Sequence, residues 1–290
     1  MVRAPVIPGP RCTSTAEETP LLHVGDAGPS ASDFVHDLAF DTASADIEAR
    51  YKRCASHWEP HLRLTREAIL RAAHHTASRR KAVLLGAGLL HDIPLAELSG
   101  LFERVLLVDI VHSLACRIRA SLFPNVACVQ ADITGTGPHL VQASKTGGPI
   151  PRLEPDLFET DETIDLTVSV NVLSQLGCAP SKILRKSHSE SEVRALQRHF
   201  IESHLSYLRR RPGHSALITD VAWSSKPAAA GADAPPARRW DVLHGVPLPT
   251  PQQTWDWHIA PAPESDPQLD FVAHVAAFPD WKAAHRLLIA

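Results

Sequence analysis

The sequence lacks most marks of a special environment. Glycine is scarce, at 14 of 290 residues, and the 44% apolar and 21% charged fractions exclude a collagen-like or fully disordered chain. There is no run of about 18 apolar residues, so no transmembrane helix is expected. The opening MVRAPVIPGPRCTST is broken by prolines and has no uninterrupted apolar stretch of the kind a secretory signal needs. Charge of one sign is missing too. Against 32 acidic residues stand 29 basic ones, a net −3, with no basic stripe to hold nucleic acid. The short run Arg209-Arg210-Arg211 reads as a solvated helix end. The five cysteines, Cys12, Cys54, Cys116, Cys128 and Cys178, are odd in number and form no C-x-x-C pair. This argues against a disulfide framework and against zinc held by close thiolate pairs. No H-E-x-x-H occurs, and the adjacent His74 and His75 would point apart on a helix, so no metal site is expected. The expected setting is the cytoplasm, with no membrane or nucleic-acid partner.

What the chain does have is proline, and its distribution divides the sequence. Of 24 prolines, 19 lie within 1–33, 135–163 or from 226 onward, which leaves the predicted strands between free of them. Residues 1–33 read as a flexible tail. Residues 34–80 read as a helical segment, in which Ile47, Tyr51, Cys54 and Trp58 share one helix face, Pro60 interrupts, and a second helix follows through RLTREAILRAAHHTASRR. From Lys81 onward, short apolar runs alternate with helical patterns: KAVLLGAG, PLAELSGLF, RVLLVDI, HSLACRIRA and NVACVQADI. Continuous apolar runs suit strands buried on both faces of a parallel sheet, and their alternation with helices is the α/β signature. Residues 135–163 read as a long loop with room for a short helix. A fourth strand is expected in TIDLTVSVNVL, then a helix over Ser189–Arg211 opened by a Ser189/Glu192 capping box, then a fifth strand in HSALITDVAW. A proline-rich insertion near 225–239 separates these from two late strands, TWDWHIAP and LDFVAHVAAF, expected as a hairpin or edge pair at one side of the sheet.

Four strand ends carry residues suited to a ligand. In VLLGAGLLHDIP, Gly86-Ala87-Gly88 follows a strand and precedes a helix, where glycine lets the backbone turn and approach a ligand closely. Asp109 ends the second strand, twenty-one residues after Gly88. At that spacing a carboxylate can accept from both ribose hydroxyls of a nucleotide; the alternative is an acidic cap on the next helix. Asp132 ends the third strand, where it could accept from an exocyclic amine with Ile133 against the base, or cap a turn. Asn171 ends the fourth strand, as a ligand group or an ordinary turn asparagine.

Taken together, these segments resemble the class I S-adenosylmethionine (SAM)-dependent methyltransferases over about residues 80–225, and to 281 if the late strands are the family's terminal antiparallel pair. VLLGAGLLHDIP resembles the glycine motif, LLVDI the ribose-binding strand, VQADI the adenine-contact segment and DLTVSVNVL the fourth-strand motif. The resemblance implies a Rossmann-like three-layer α/β sandwich. Its sheet would be mostly parallel with a C-terminal antiparallel strand, N-terminal helices would precede it, and 81–290 would form the SAM domain. It places Gly86 and Gly88 against the methionine moiety, Asp109 at the ribose, Asp132 and Ile133 at the adenine, and Asn171 on the sulfonium and acceptor side, with Ala87 and Ile110 also among the cofactor-binding residues. Two positions depart from the pattern: Leu84 stands where an acidic residue is common, and Leu90 where a third glycine is. Arg53 or His57 is then a candidate for the SAM carboxylate.

The expected reaction is in-line methyl transfer to a small-molecule acceptor, which needs positioning more than a base. The catalytic residue is therefore left open, with His91, His258 and Asp220 as candidates. Trp240, Trp255 and Trp257 with His258 would line an aromatic acceptor pocket or, alternatively, pack against the core. Acceptor selection is expected from the helices at 45–80, the loop at 135–163 and the segment 226–258. Two other readings remain: a methyltransferase-like scaffold without activity, and an NAD(P)-dependent oxidoreductase, whose G-x-G-x-x-G/A fingerprint is broken by His91.

Overall fold

The computed structural model describes residues 35, 37–38, 40–229 and 235–289. The tail expected over 1–33 and the centre of the proline-rich insertion, 230–234, lie outside the described residues. The apolar runs form β1 (Lys81–Leu85), β2 (Arg104–Asp109), β3 (Val126–Gln130), β4 (Ile164–Val170) and β5 (His214–Pro227), followed by β6 (Arg238–Asp241), β7 (Gln253–Ala260) and β8 (Leu269–Phe278). They join in one sheet of order β3-β2-β1-β4-β5-β8-β7, with β6 paired to the far part of β5. Strands β1 to β5 are mutually parallel. β8 runs antiparallel to both β5 and β7, so β7 returns to the common direction. The two late strands thus form a hairpin at one side of the sheet.

Both faces of the sheet are covered, and this is why its central strands are apolar without alternation; β4 is buried at all seven positions. One face packs α1 (Phe40–His74), α2 (Leu95–Leu101) and α3 (Leu114–Ser121), through residues such as Ile69, Leu98 and Cys116 against Leu84 and Leu107. The other face packs α4 (Gly137–Thr146), α5 (Cys178–Leu184), α6 (Glu190–Arg210) and α7 (Trp281–Ile289), with Phe200, Leu208 and Trp281 against Leu85 and Phe278. The result is the expected three-layer α/β sandwich. The capping box at the start of α6 is complete: Ser189 Oγ accepts from the Glu192 amide, and the Glu192 carboxylate accepts from the Ser189 amide.

The structure differs from the sequence reading at several places. Pro60 does not end the first helix. α1 continues through it to His74 and breaks instead at Cys54, whose φ/ψ of −110°/16° is non-helical. Proline removes one helical donor and crowds the carbonyl four residues earlier, and a bend upstream accommodates this without unwinding the helix. The loop at 135–163 contains α4, with Pro138 in its first turn, where a missing N–H costs little. α5 holds Pro180 and is too short to show a period, and α7 was not foreseen. β6 is largely exposed and gives no apolar signal. It exists because β5 runs beyond Trp223 to Pro227 and offers it an antiparallel partner.

Candidate active site

The parallel strands β1 to β4 end on one side of the sheet, and an open cavity of about 250 Å³ lies over those ends. Seven of the eight residues singled out from the sequence reach its wall: Gly86, Gly88, Asp109, Ile110, Asp132, Ile133 and Asn171. Ala87 does not. It is wholly buried in the core between the two glycines, and its carbonyl receives the Cys116 thiol at 3.6 Å.

The glycines are required by the chain itself. Gly86 has φ +86°, and a Cβ there would sit 2.5 Å from the Val170 carbonyl oxygen. A Cβ on Gly88 would sit 2.3 Å from the Val111 carbonyl oxygen and 2.9 Å from the Asp109 carboxyl. The turn is therefore threaded between the ends of β4 and β2, and it hangs on Asp109. The amide of Gly88 donates to Asp109 Oδ2 at 2.8 Å, and that of Ile110 to Oδ1 at 2.7 Å. Protein surrounds this carboxylate on most sides, and burial pushes its pKa up to about 6 despite those bonds.

Leu90, which occupies the position of the absent third glycine, has φ +59°. A left-handed leucine costs about 1–2 kcal/mol, which its side chain offsets by burial in the core at 1% exposure. The carbonyls of Leu90 and His91 are held by Arg119 at 3.2 Å and Arg66 at 2.5 Å. At ordinary positions glycine destabilises more than alanine. Here the order should invert: Leu90→Ala should lose about 2–5 kcal/mol, and Leu90→Gly about 1 kcal/mol less than that, as read by urea denaturation of the three proteins.

Asp132 is engaged as a cap. Its Oδ1 accepts from the Thr134 amide at 2.8 Å and hydroxyl at 2.7 Å, and its Oδ2 from the Gly137 amide at 2.7 Å, which fixes the start of α4 beside the cavity. Asn171 has φ +50°, a conformation asparagine tolerates. Its Nδ2 donates to Asp92 Oδ2 at 2.8 Å, while its Oδ1 is buried without a partner. Asp92 shares the cavity wall, and burial raises its pKa above the usual carboxylate range. Near this end Asp92 and Asn171 line the wall, with the unpaired Asn171 oxygen buried behind it.

The sequence reading missed His61, which faces this end from α1. It is 1% exposed, stacks on Trp257 at 4.0 Å and accepts from Trp255 Nε1 at Nδ1 over 3.0 Å. Indole is only a donor, so Nδ1 is the accepting nitrogen, and Nε2 lies 3.3 Å from the Asn171 amide nitrogen. Burial takes its pKa down to about 3, which keeps the ring neutral. Nothing in the helical pattern distinguished His61 from other histidines; only the crossing of α1 over β7 places it here.

Other candidates are elsewhere. Arg53 is paired with Glu264 at 2.8 and 2.6 Å, and His57 is exposed; neither lines the cavity. Asp220 is bonded by Ser174 and Trp223, and His258 is exposed on β7, both away from the cavity wall. His91 does line it, stacked on Tyr51 at 3.8 Å and bonded to Glu48 at 2.9 Å, with burial lowering its pKa. The tryptophans separate: Trp257 packs edge-on against Trp58 and forms part of the cavity wall, whereas Trp240 lies on β6 over Phe271. The remaining wall comes from the first half of α1, including Phe40, Ala43 and Ile47, and from Leu176 and Ala179 before and within α5. The segment 226–256 contributes nothing to it among the described residues.

No family model matches the chain, and no curated protein matches it. Among solved structures it is similar to DhpI in complex with S-adenosylhomocysteine, with TM-score 0.36 and 15% identity over 87% of this chain and 99% of that one. It is also similar to the 1,6-didemethyltoxoflavin-N1-methyltransferase of Burkholderia thailandensis, with TM-score 0.37 and 14% identity over 88% and 92%. A third is the glycopeptide N-methyltransferase MtfA with SAM, with TM-score 0.29 and 17% identity over 78% and 81%. The strand order and the antiparallel β8 are features of this chain in their own right. The chain has a Rossmann-like three-layer α/β fold, mostly parallel with an antiparallel β8. No helix among the described residues is long and apolar enough to cross a membrane.

Proposed function

We propose that the protein binds SAM over the ends of β1 to β4 and transfers its methyl group to a small molecule held between α1 and α5. The observation that carries this reading is Asp109: a carboxylate enclosed at the end of β2, bonded to the glycine turn and still on the cavity wall. An enclosed charge costs stability, and such groups concentrate at functional sites. One acceptor face of the carboxylate remains for ribose hydroxyls. The rest of the wall suits a cation. Asp92, Asp109 and Asp132 reach it, and Lys182 is the one lysine or arginine among its described residues. The Asp92 carboxylate would face the ammonium or sulfonium of SAM, with Asn171 beside it, and Ile133 the adenine.

When bound, SAM supplies a methyl group already activated by positive sulfur. The chain's own residues then position and desolvate. Phe40, Ala43, Ile47 and Leu176 present an apolar wall that favours an acceptor with an apolar or aromatic body. His61 and Asn171 bound its inner end. His91 is held by Glu48 and Tyr51, so a neutral acceptor with its own lone pair is the best match.

The dehydrogenase reading fits less well, because His91 stands where its G-x-G-x-x-G/A fingerprint needs glycine or alanine. The scaffold reading predicts filled strand ends, whereas a cavity lies over them. The test is calorimetric titration with SAM and S-adenosylhomocysteine, followed by assay of S-adenosylhomocysteine release against fractionated small molecules. Binding of both, and release that depends on one fraction, is the expected result. Absence of heat and of thermal shift at millimolar SAM would sink the proposal.

A further inference from the structure

A second constellation lies behind the glycine turn, which it touches where the Cys116 thiol donates to the Ala87 carbonyl. His112 follows β2, Cys116 is in the first turn of α3, and Cys128 is in the middle of β3. The register that sets Cys128 beside Leu107, and the packing of α3 over those two strands, bring the three together on one face of the sheet. A ring nitrogen of His112 and the two sulfurs all lie within 4.8 Å of one another. Cys116 is 0% and Cys128 4% exposed, both are free thiols, and none of the three lines the SAM cavity. His112 Nε2 donates to the Leu107 carbonyl at 2.9 Å, while its Nδ1 is buried with no hydrogen-bond partner. A buried imidazole nitrogen without a partner beside two buried thiols is an incomplete arrangement, since buried polar atoms are ordinarily satisfied.

We infer that His112, Cys116 and Cys128 form a binding site for zinc. Two sulfurs and an imidazole are the donors that zinc prefers, whereas magnesium and calcium require oxygen. With Zn–S near 2.3 Å and Zn–N near 2.0–2.1 Å, ligand atoms around a tetrahedral ion stand about 3.5–3.8 Å apart. Side-chain rotation of an ångström or so closes the observed set onto one ion. Each thiol gives its proton to solvent as the Zn–S bond forms, so the thiolate charges neutralise the ion and no oxidant is needed. Three protein ligands leave a fourth position for water. The site was not visible in the spacing of the cysteines, because its thiols come from a helix and a strand and not from a close pair. It does not depend on SAM binding.

The test uses tag-free, reduced full-length protein, loaded with zinc, desalted against a mild chelator and measured by elemental mass spectrometry. About one ion per chain is expected. Cobalt(II) in its place should give the sulfur-to-metal charge-transfer absorption of a tetrahedral thiolate site. Cys116→Ser, Cys128→Ser and His112→Gln should each weaken retention by roughly tenfold or more, since even outer-shell partners of a metal cost that much. Cys54→Ala, a buried thiol outside the cluster, should retain the ion fully. His112 is only partly buried, so His112→Gln remains informative if a cysteine variant fails to fold. Wild-type protein that keeps no zinc, cobalt-loaded protein without thiolate absorption, or retention unchanged in the His112 variant overturns the site.

Discussion

Gly88→Ala is expected to abolish SAM binding and to lower the melting temperature by roughly 5–10 °C, while Gly100→Ala leaves both intact or raises stability slightly. The two glycines differ in what a methyl group would meet. At Gly88 it would stand 2.3 Å from the Val111 carbonyl and 2.9 Å from the Asp109 carboxyl; at Gly100, in α2, nothing lies within 4 Å. Neither obstacle at Gly88 is the free end of a flexible chain. Val111 O is backbone, and the Asp109 carboxyl is fixed by the Gly88 and Ile110 amides. The turn must move away from β2, at an overpacking cost of about 1–3 kcal/mol or more, and the Asp109 carboxylate loses the amide that aims it. Calorimetry and thermal melts on the two variants check this. A Gly88→Ala protein that binds SAM as the wild type does would mean that the turn is not in the ligand's path.

Asp109→Asn should separate binding from stability in the opposite sense. The carboxyl has its pKa raised to about 6 from 3.8. Between those values the folded chain holds the proton more tightly than the unfolded chain, so stability falls as pH rises through this window and stays reduced above it. Removing the charge should therefore raise stability at pH 7, by up to about 3 kcal/mol less whatever the lost amide–carboxylate bond contributes. SAM affinity should fall at least a hundredfold, because a carboxylate that accepts two hydroxyls is replaced by a group with a single acceptor. If binding needs the ionised form, wild-type affinity should drop about tenfold from pH 7 to pH 5, and the variant should show no such dependence. An Asp109→Asn protein that melts lower and binds normally would make this residue a cap and nothing more. That outcome would remove the main support for the SAM reading.

Both predictions concern residues that the sequence already exposed, and the reason is physical. A strand-to-helix turn needs glycine within a few residues, and the acidic end of the next strand falls at a spacing fixed by one helix and one strand. Such constraints are local and leave a readable pattern. The same holds for the Ser189–Glu192 capping box, whose partners are three residues apart, and for β1 to β4, whose burial on both faces demands unbroken apolar runs.

The acceptor side was not readable. His61 gives no signal in a helix with several histidines, because its role comes from α1 crossing β7, which stacks it on Trp257 and bonds it to Trp255. Of the three parts expected to shape the wall, the helices at 45–80 supply Ile47, Trp58, His61 and Leu62, whereas 135–163 and 226–258 supply only Gly137, Leu140 and Trp257, and the residues around α5 add to it without having been expected. Asp132 held two readings in sequence, and its bonds to Thr134 and Gly137 show the capping one in use. By itself, then, the sequence determined the α/β layering, the glycine turn and the acidic strand ends, since each rests on periodicity or short spacing. Only the tertiary structure decided which helix roofs the cavity, which histidine faces it and which thiols meet behind it. Those pairings join residues far apart in the chain, and packing, not local preference, selects them.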